Sequence, residues 1–245
     1  LEPLTKILAA LIYPNLRLEK IMKFTSVFKM TVLAAVAVSL VACAKDPAQE
    51  VAPAKVEAKK EAAPAPVAKA EAEPAAAPKG NLAGDLLFVG SQVTGSHTCK
   101  FTDWDGSLSE AKSLEEATLS VTVRTTAMAC DFDDPKPWTV KLEKHLRSDD
   151  FFASEKFPEA TFVSTAIKAQ PDAKTKSTHQ VTGNITIRGI QKELSFPAAL
   201  TKGDDGFKAD IEFSLNRKEF DIMYPGKPDD LIRDDVVLKL SLASK

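Results

Sequence analysis

Apolar and polar residues alternate through several stretches of the chain beyond residue 80. The pattern is clearest in residues 119–124, 181–187, 207–215 and 236–242. A period of two places the apolar side chains on one face of a β-strand and the polar side chains on the other. This part of the chain is therefore predicted to form a sheet with one apolar face and one solvated face.

Further strand candidates lie near residues 84–90, 93–97, 101–109, 161–168 and 193–200. The connections are short, and no helices alternate with the strands as a parallel sheet would require. About nine antiparallel strands that share one apolar face must close on themselves or pair as a sandwich, because open sheet edges invite aggregation. In residues 135–152, Trp138, Leu142, His145 and Leu146 fall at near-helical spacing. This spacing predicts a short helix that covers a barrel mouth.

The start of the chain has the organisation of an export signal. Residues 1–21 match no recognisable element, and we interpret them as an upstream artefact that precedes a start at Met22. Lys23 and Lys29 form a positive region before an apolar run over residues 30–41, which is typical of a signal peptide. The run has about half of the roughly 20 residues that span a bilayer. A cleaved signal over residues 22–42 is therefore favoured over a transmembrane helix.

Residues 40–43 (LVAC) resemble the bacterial lipobox, the sequence at which a lipoprotein signal is cut before its cysteine. The resemblance implies that Cys43 becomes an acylated N-terminus, which anchors the protein to a membrane. An ordinary cleaved signal with an incidental cysteine is the alternative. Ala44, and not Asp, follows the cysteine, which favours the outer membrane. We therefore expect a periplasm-facing lipoprotein of the bacterial cell envelope.

A spacer separates this cysteine from the predicted domain. Residues 44–80 contain six Pro, six basic and six acidic residues and no aromatic residue. Such a segment buries too little apolar surface to offset the backbone entropy of ordering, about 1 to 2 kcal/mol per residue. Residues 43–80 are therefore predicted to be a lipidated cysteine followed by a disordered tether, and residues 81–245 to be the folded domain.

Charge and cysteine spacing exclude several classes of function. From residue 81 onwards there are 21 basic and 26 acidic residues without a clustered basic face, so nucleic-acid binding is not expected. No enzyme motif or metal-ligand spacing occurs, so neither catalysis nor a cofactor is predicted. Cys99 and Cys130 would lie in an oxidising compartment after export. They form either a disulfide or two buried free thiols.

Four strings occur in an order that carries a family resemblance. They are HLRSDDFF at residues 145–152, FPEATF at 157–162, VTGNITIRG at 181–189 and FSLNR at 213–217. Together they resemble the YceI-like family of lipid- and polyisoprenoid-binding proteins over residues 84–243. The resemblance implies an all-β, antiparallel, lipocalin-like barrel of about eight strands with an apolar interior that holds a long isoprenoid or quinone-type lipid.

Combined with the alternation, the resemblance predicts a set of side chains that line the ligand. They are Val121, Val123, Phe151, Phe152, Phe162, Ile185, Ile187, Phe196, Ile211 and Phe213. Residues 99–104 and 131–135 depart from the family pattern, so the identity of the lipid stays open. His145 is interpreted as a hydrogen-bonding residue at the mouth, and residues 221–235 as either the rim of the ligand entrance, a partner-docking loop or a solvated connection.

The function predicted from these observations is non-enzymatic carriage or sequestration of an isoprenoid lipid. The alternative is a protein-interaction module of the cell envelope. In that case the barrel would be packed shut by its own side chains, as small barrels normally are. An open or a filled interior distinguishes the two.

Overall fold

The computed structural model describes residues 45–58, 80–204 and 206–245. The described residues form one compact unit within Cys43–Lys245. Thirteen strands and one α-helix, α1 (Thr139–Arg147), occur within the described residues. The strands are β1 (Lys55–Ala58), β2 (Leu82–Ser91), β3 (Ser96–Phe101), β4 (Trp104–Leu108), β5 (Leu119–Arg124), β6 (Met128–Cys130), β7 (Glu159–Asp172), β8 (Ser177–Ile187), β9 (Ile190–Gly203), β10 (Gly206–Asn216), β11 (Gly226–Lys227), β12 (Asp230–Leu231) and β13 (Asp235–Ser244).

The main sheet is antiparallel and follows the order β4-β5-β7-β8-β9-β10-β13-β2-β3-β6. Its two ends belong to the same pair of bent strands. β3 continues into β4 and β5 continues into β6, and the bonds from Thr102 N to Ala127 O (3.1 Å) and from Arg124 N to Asp103 O (3.0 Å) carry the ladder across the bend. Unequal numbers of residues face each other there, and such a bulge bends a strand and increases its twist. If β3–β4 and β5–β6 are each counted as one bent strand, the sheet has eight strands. The described strands thus close into the predicted antiparallel barrel.

Alternation along the strands decides which side chains fill the barrel. On β10, Phe207, Ala209, Ile211, Phe213 and Leu215 are buried, whereas Lys208, Asp210 and Glu212 between them are exposed and Ser214 is buried. The same period runs through β5, β8 and β9. The prediction of one apolar face is confirmed, and the reason is that a closed sheet has a single interior for that face to occupy.

The barrel has two different ends. We call the end at which β2, β5, β8 and β10 terminate the helix end, because α1 and the segment that follows it pack there. The opposite end, which we call the far end, carries residues 109–118 and the turn between β7 and β8. Leu146 of α1 is buried and Leu142 packs against the core. The predicted helix over one mouth is confirmed, over Thr139–Arg147.

Cys99 and Cys130 occupy directly paired positions on β3 and β6 and form a disulfide. Their Cα atoms lie 3.9 Å apart, and both residues are buried. The bond joins the two strands close to the helix end, where the backbone N–H of Cys130 also donates to Glu143 of α1 at 3.1 Å. The sequence left a disulfide and two free thiols open, and the register of this pair decides between them.

Residues 45–58, which we call the strap, are ordered on the barrel, so the prediction that residues 43–80 form a disordered tether is wrong for this part. Pro47–Gln49 forms a 3-10 turn that begins at Asp46, whose side chain accepts a bond from Ala48 N at 3.0 Å. Ala54 N then donates to Ser214 O at 2.8 Å, and Ser214 N donates to Ala52 O at 3.0 Å. β1 continues this line and pairs antiparallel with β9.

The strap fills a seam in the barrel wall. β9 and β10 pair with each other only between Gly203/Gly206 and Ala199/Asp210, and they diverge towards the helix end. The strap runs in that gap, parallel to β10 and antiparallel to β9. The strap has the alternation of a strand, which its Ala-, Pro- and Lys-rich composition does not indicate. Ala54 and Val56 pack against the core, whereas Lys55 and Glu57 face solvent. The proline at 53 is tolerated because Ala52 and Ala54, its neighbours, make the bridging bonds.

Val56→Asp is expected to release the strap. Val56 lies opposite Leu194, which is buried, so a carboxylate there loses its water at a cost of about 2 kcal/mol, or about 30-fold in the opening equilibrium. Hydrogen exchange of the backbone amides of residues 54–57 measures this opening. Lys55→Asp is the matched control, since Lys55 faces solvent, and should leave the exchange rates nearly unchanged. Equal protection in both variants would show that Val56 does not hold the strap.

Several predictions concern residues outside the described ones. They are the interpretation of residues 1–21, the signal peptide over residues 22–42, the lipid anchor at Cys43 and the tether over residues 59–79. Among the helices that the structure describes, none has both the length and the apolar character needed to cross a membrane.

Candidate functional site

A cavity of about 200 Å³ lies inside the barrel beneath α1. All eight strands of the ring contribute to its wall, and α1 contributes Leu146. Among the described residues that line it, only Thr161 and Arg217 carry polar side chains. A hollow with this lining excludes water and favours an apolar guest through burial of its surface.

The cavity occupies only the half of the barrel that is closer to the helix end. On β10, Ile211, Phe213 and Leu215 line it, whereas Phe207 and Ala209 near the far end do not. Their inward side chains are buried against other core residues and close the far half. β2, β8, β9 and β13 show the same division, whereas all three inward residues of β5 line the cavity. The sequence posed an open tunnel and a filled core as alternatives, and the structure contains both, one in each half.

All ten side chains predicted to line a ligand lie on the wall of this cavity. They are Val121, Val123, Phe151, Phe152, Phe162, Ile185, Ile187, Phe196, Ile211 and Phe213. Their convergence follows from the closed sheet, because strands far apart in the chain present the same inward face. The contact of each residue with a ligand remains a prediction.

Phenylalanine rings shape two sides of the cavity. On one side, Phe196 stacks on Phe213 with ring centroids 4.5 Å apart and lies 5.4 Å from Phe162. The ring of Phe162 covers Gly183 on the neighbouring strand, where a β-carbon would lie 2.6 Å from its Cζ atom. A glycine at this position therefore allows the ring to lie flat against the wall instead of filling the lumen.

On the other side, the ring of Phe152 packs against Phe88 and Phe101, with centroid distances of 5.8 and 5.9 Å. Phe152 belongs to the segment that follows α1, so this contact holds the helix-side segment onto the barrel. Neither Phe88 nor Phe101 was among the predicted lining residues. Both nevertheless occupy inward positions of strands, so the strand period is the signal in the sequence that indicates them.

A clamp of polar contacts closes the helix end around this segment. Arg188 Nη1 donates to the carbonyl oxygens of Asp149, at 2.8 Å, and of Phe151, and Nη2 lies 3.8 Å from Asp221 Oδ2. Arg188 and Gly189 form the two-residue turn between β8 and β9, both with positive φ (52° and 73°). Such strain in a non-glycine residue is typical of a position held by its surroundings.

His145 lies at the mouth and makes the kind of contact predicted for it. Its Nε2 atom lies 2.8 Å from Asp150 Oδ2, and its ring packs edge-on against Phe151 and Tyr224, with centroids 5.0 and 4.9 Å away. Tyr224 belongs to the connection between β10 and β13. His145 therefore links α1 to that connection across the mouth.

The connection over residues 221–235 rims the cavity. Ile222 and Ile232 line the cavity wall, whereas β11 and β12 form a short hairpin between them. Of the three interpretations of this segment, the rim agrees with its position. The two ends of the connection thus point towards the cavity, whereas Lys227 and Asp229 in the hairpin between them are exposed to solvent.

Arg217 is the buried cation at the helix end of the cavity, with 4% of its side chain exposed. Nε donates to Arg233 O at 3.1 Å, Nη1 donates to Ile222 O at 2.6 Å, and Nη2 lies 3.3 Å from Asp234 Oδ1. Burial lowers the pKa of Arg217, and the charge of Asp234 opposes this shift. The guanidinium therefore ties both ends of the connection together. Arg217 lies in the family string at residues 213–217, but no role was predicted for it.

Arg217→Met is expected to loosen the connection between β10 and β13 and to destabilise the domain by about 2 to 3 kcal/mol. Methionine keeps the apolar stem but leaves the carbonyl groups of Ile222 and Arg233 without a donor in a buried place. Urea unfolding followed by circular dichroism measures the loss. Lys218→Met is the control, since Lys218 bonds the same Asp234 from a more exposed position and should change stability by less than about 1 kcal/mol. Equal effects would contradict the buried role of Arg217.

No group of three or more His, Cys, Asp or Glu side chains that could hold a metal ion occurs in the described part of the chain. His97, beside the disulfide, instead bonds Asp131 (Nδ1 to Oδ2, 2.9 Å) and packs edge-on against Trp138. This arrangement attaches the start of α1 to β3. It has the character of a structural contact.

Comparisons with known proteins agree with this architecture. The family model described as "YceI-like domain" matches residues 76–244. A UPF0312 protein of Pseudomonas fluorescens is 32% identical over 150 residues, which cover 57% of this chain and 70% of that protein. Protein YceI of Escherichia coli is 32% identical over 131 residues, which cover 50% of this chain and 61% of that protein. The crystal structure of Burkholderia cenocepacia BcnA superimposes with a TM-score of 0.53 at 19% identity, covering 66% of this chain and 96% of the other, and this likeness concerns the fold alone.

Proposed function

This chain belongs to the family of YceI-like domains, and on that premise we propose that its barrel binds the hydrocarbon tail of a long isoprenoid or quinone-type lipid. The observation that carries the proposal is the cavity beneath α1, whose wall consists almost entirely of apolar side chains. Each methylene group buried there contributes about 0.8 kcal/mol. A long chain can therefore bind tightly with few specific polar contacts.

The position of the polar groups supports a tail-first mode of binding. Among the described residues of the cavity wall, Arg217 carries the charge. It lies at the helix end and donates hydrogen bonds to backbone carbonyls and to Asp234. The packed far half closes the other end. A tail that enters from the helix end would therefore leave its polar head at that mouth, where water remains accessible.

The same lining supports carriage or sequestration. Acid–base or nucleophilic catalysis needs a titratable group within hydrogen-bond reach of the reacting atoms. The deep wall of the cavity offers aliphatic and aromatic side chains in place of such groups. The alternative function, a protein-interaction module with a packed barrel, requires a filled interior, which the helix-side half does not have.

We further propose that the protein acts at the bacterial cell envelope, facing the periplasm and held to the outer membrane by acylation of Cys43. The support is the LVAC string after an apolar run and the disulfide of Cys99 and Cys130, a bond that persists in oxidising compartments. Intact-mass measurement of membrane-extracted protein tests this part. Cleavage elsewhere or an unmodified N-terminus would overturn it.

Lipid binding is tested on the protein extracted from its own membranes. Native mass spectrometry should show a co-purifying prenyl lipid or quinone, and the delipidated protein should rebind a long-chain polyprenol or a long-tailed quinone. A saturated fatty acid serves as the comparison ligand. If no lipid co-purifies and neither prenyl compound rebinds, the proposed function is wrong. Preference for the fatty acid would retain lipid binding and remove the isoprenoid assignment.

A further inference from the structure

Exposed apolar side chains concentrate at the helix end of the barrel. Among the described residues, six of the seven large hydrophobic side chains that are exposed to solvent lie there. They belong to three neighbouring segments, the β2–β3 turn, the residues from β6 into α1, and the connection between β10 and β13. We call these six the rim: Val93, Phe132, Trp138, Val140, Met223 and Leu231. Val163, the seventh, lies on the outer wall of β7.

Contacts between the three segments make the rim one surface. Val93 N donates to Leu231 O at 3.2 Å, which joins the β2–β3 turn to the connection. Tyr224, next to Met223, packs against His145 of α1. The segments that carry the rim therefore meet at the mouth under which Ile222 and Ile232 line the cavity. A concentration of exposed apolar residues around an opening is typical of an interaction site and not of an ordinary solvated surface.

The strap leads the chain to the same end. Asp46 Oδ2 lies 3.1 Å from Arg233 Nη1, two residues after the rim residue Leu231, and Asp46 is largely buried by this contact. Cys43 precedes Asp46 by three residues, so covalent geometry keeps their Cα atoms within about 11 Å of each other. Acyl chains on Cys43 would therefore hold the rim, and not the far end, next to the bilayer while the strap is docked.

The charges of the rim indicate which lipid surface it fits. Asp133 and Asp134 lie beside Phe132, and Asp229 and Asp230 lie beside Leu231. Basic residues, among them Lys136, Lys141 and Lys227, lie in the same segments but do not outnumber the acidic ones, so the described surface offers no excess of positive charge to attract anionic headgroups. Apolar insertion into the interfacial layer of the bilayer is the interaction that remains, with Trp138 as an amphipathic ring suited to that depth.

We propose that the rim is a membrane-docking surface, which inserts into the headgroup region of a bilayer and is set against it by the docked strap. This inference rests on the proposed function, because it gives an apolar ligand a route between the bilayer and the cavity that avoids water. The strap adds a second property. Its release would lengthen the link from Cys43 to the barrel by more than ten residues and would let the mouth leave the membrane.

Trp138 provides the measurement. The protein contains two tryptophans, and Trp104→Phe leaves Trp138, 44% exposed, as the single reporter. The chain starting at Cys43, which contains the whole compact unit, is coupled through the Cys43 thiol to a maleimide lipid in phosphatidylcholine vesicles. The other two cysteines are occupied by their disulfide. Chemical coupling makes the test independent of natural acylation, and an empty cavity makes it independent of ligand binding.

Docking predicts that the Trp138 emission shifts to shorter wavelength and is quenched at least threefold more by lipids brominated in the acyl chain than by an aqueous quencher. Raising the salt concentration should not reverse the shift. The triple variant Val140→Ser, Met223→Ser, Leu231→Ser should lose most of the quenching, whereas Val163→Ser should keep it. Strap release by Val56→Asp should reduce the quenching as well, and Lys55→Asp should not.

Three results would overturn the proposal. The first is a Trp138 signal that is unchanged between coupled and uncoupled protein. The second is equal quenching in the triple variant and in Val163→Ser. The third is a shift that appears without vesicles and depends on protein concentration, which would identify the rim as a contact between two copies of the chain. Native mass spectrometry of the ligand is unaffected by any of these results, so the two proposals fail separately.

Discussion

Substituting tryptophan at both Val121 and Ile211 is expected to lower the affinity of the barrel for a long-chain polyprenol by about 1,000-fold. The two residues lie on β5 and β10, which face each other across the cavity, and both line it. Their larger side chains occupy the space of about five methylene groups of ligand. At about 0.8 kcal/mol for each group, the lost burial amounts to about 4 kcal/mol.

The fold should tolerate these substitutions better than it would tolerate tryptophan in a filled part of the core, because the new rings enter space that is open in the native barrel. Overpacking elsewhere in a core costs about 1 to 3 kcal/mol. Val163→Trp combined with Lys208→Trp is the matched control, since both residues face outward on strands of the same sheet. Titration of the delipidated proteins with polyprenol measures the affinity. A double variant that binds as well as the control would show that the ligand does not enter the helix-side half.

Removal of the disulfide by Cys99→Ala and Cys130→Ala should destabilise the domain by about 3 to 4 kcal/mol. The bond closes a loop with a sequence separation of 31, and in the chain-entropy model a loop of this size restricts the unfolded state by about that amount. The effect should be large because the bond joins the two bent strands through which the sheet closes. Urea unfolding at equilibrium measures the difference.

Reduction of the native protein provides an independent version of the same experiment. Added thiol should produce a loss of stability similar to that of the double alanine variant and should leave that variant itself unchanged. Cys43→Ala is the control for nonspecific effects of a missing cysteine, because Cys43 takes no part in this bond. A loss below about 1 kcal/mol would show that the unfolded chain is already compact around this loop.

Periodicity made the inward-facing side chains of the cavity wall predictable from the sequence, whereas their contact with a ligand stays a prediction. Residues such as Val121, Ile185 and Phe213 sit at every second position of their strands, and a closed sheet has one interior face. Phe88 and Phe101 were not predicted, although both lie at inward positions of strands, and only Phe101 lies in the stretch, residues 99–104, that departs from the family pattern. No role was predicted for Arg217, since most of its partners are backbone carbonyls, which no side-chain pattern reveals.

The strap shows a different limit. Residues 45–58 have the composition of a tether, and composition reflects what a segment can bury by itself. Order arises here because β9 and β10 diverge and leave hydrogen-bonding edges that Ala52, Ala54 and β1 satisfy. The groups that order the strap are thus more than a hundred residues away in the chain.

Local pattern alone therefore determined the all-β character, the short helix, the inward set of apolar residues and the family resemblance, because each depends on neighbours within one strand or turn. Tertiary structure decided how far the lumen is filled, which cysteines meet, where Arg217 finds its acceptors and where the strap lies. These features depend on the distance between strands that the chain brings together from far apart, and such distances are set only when the sheet closes and its side chains pack.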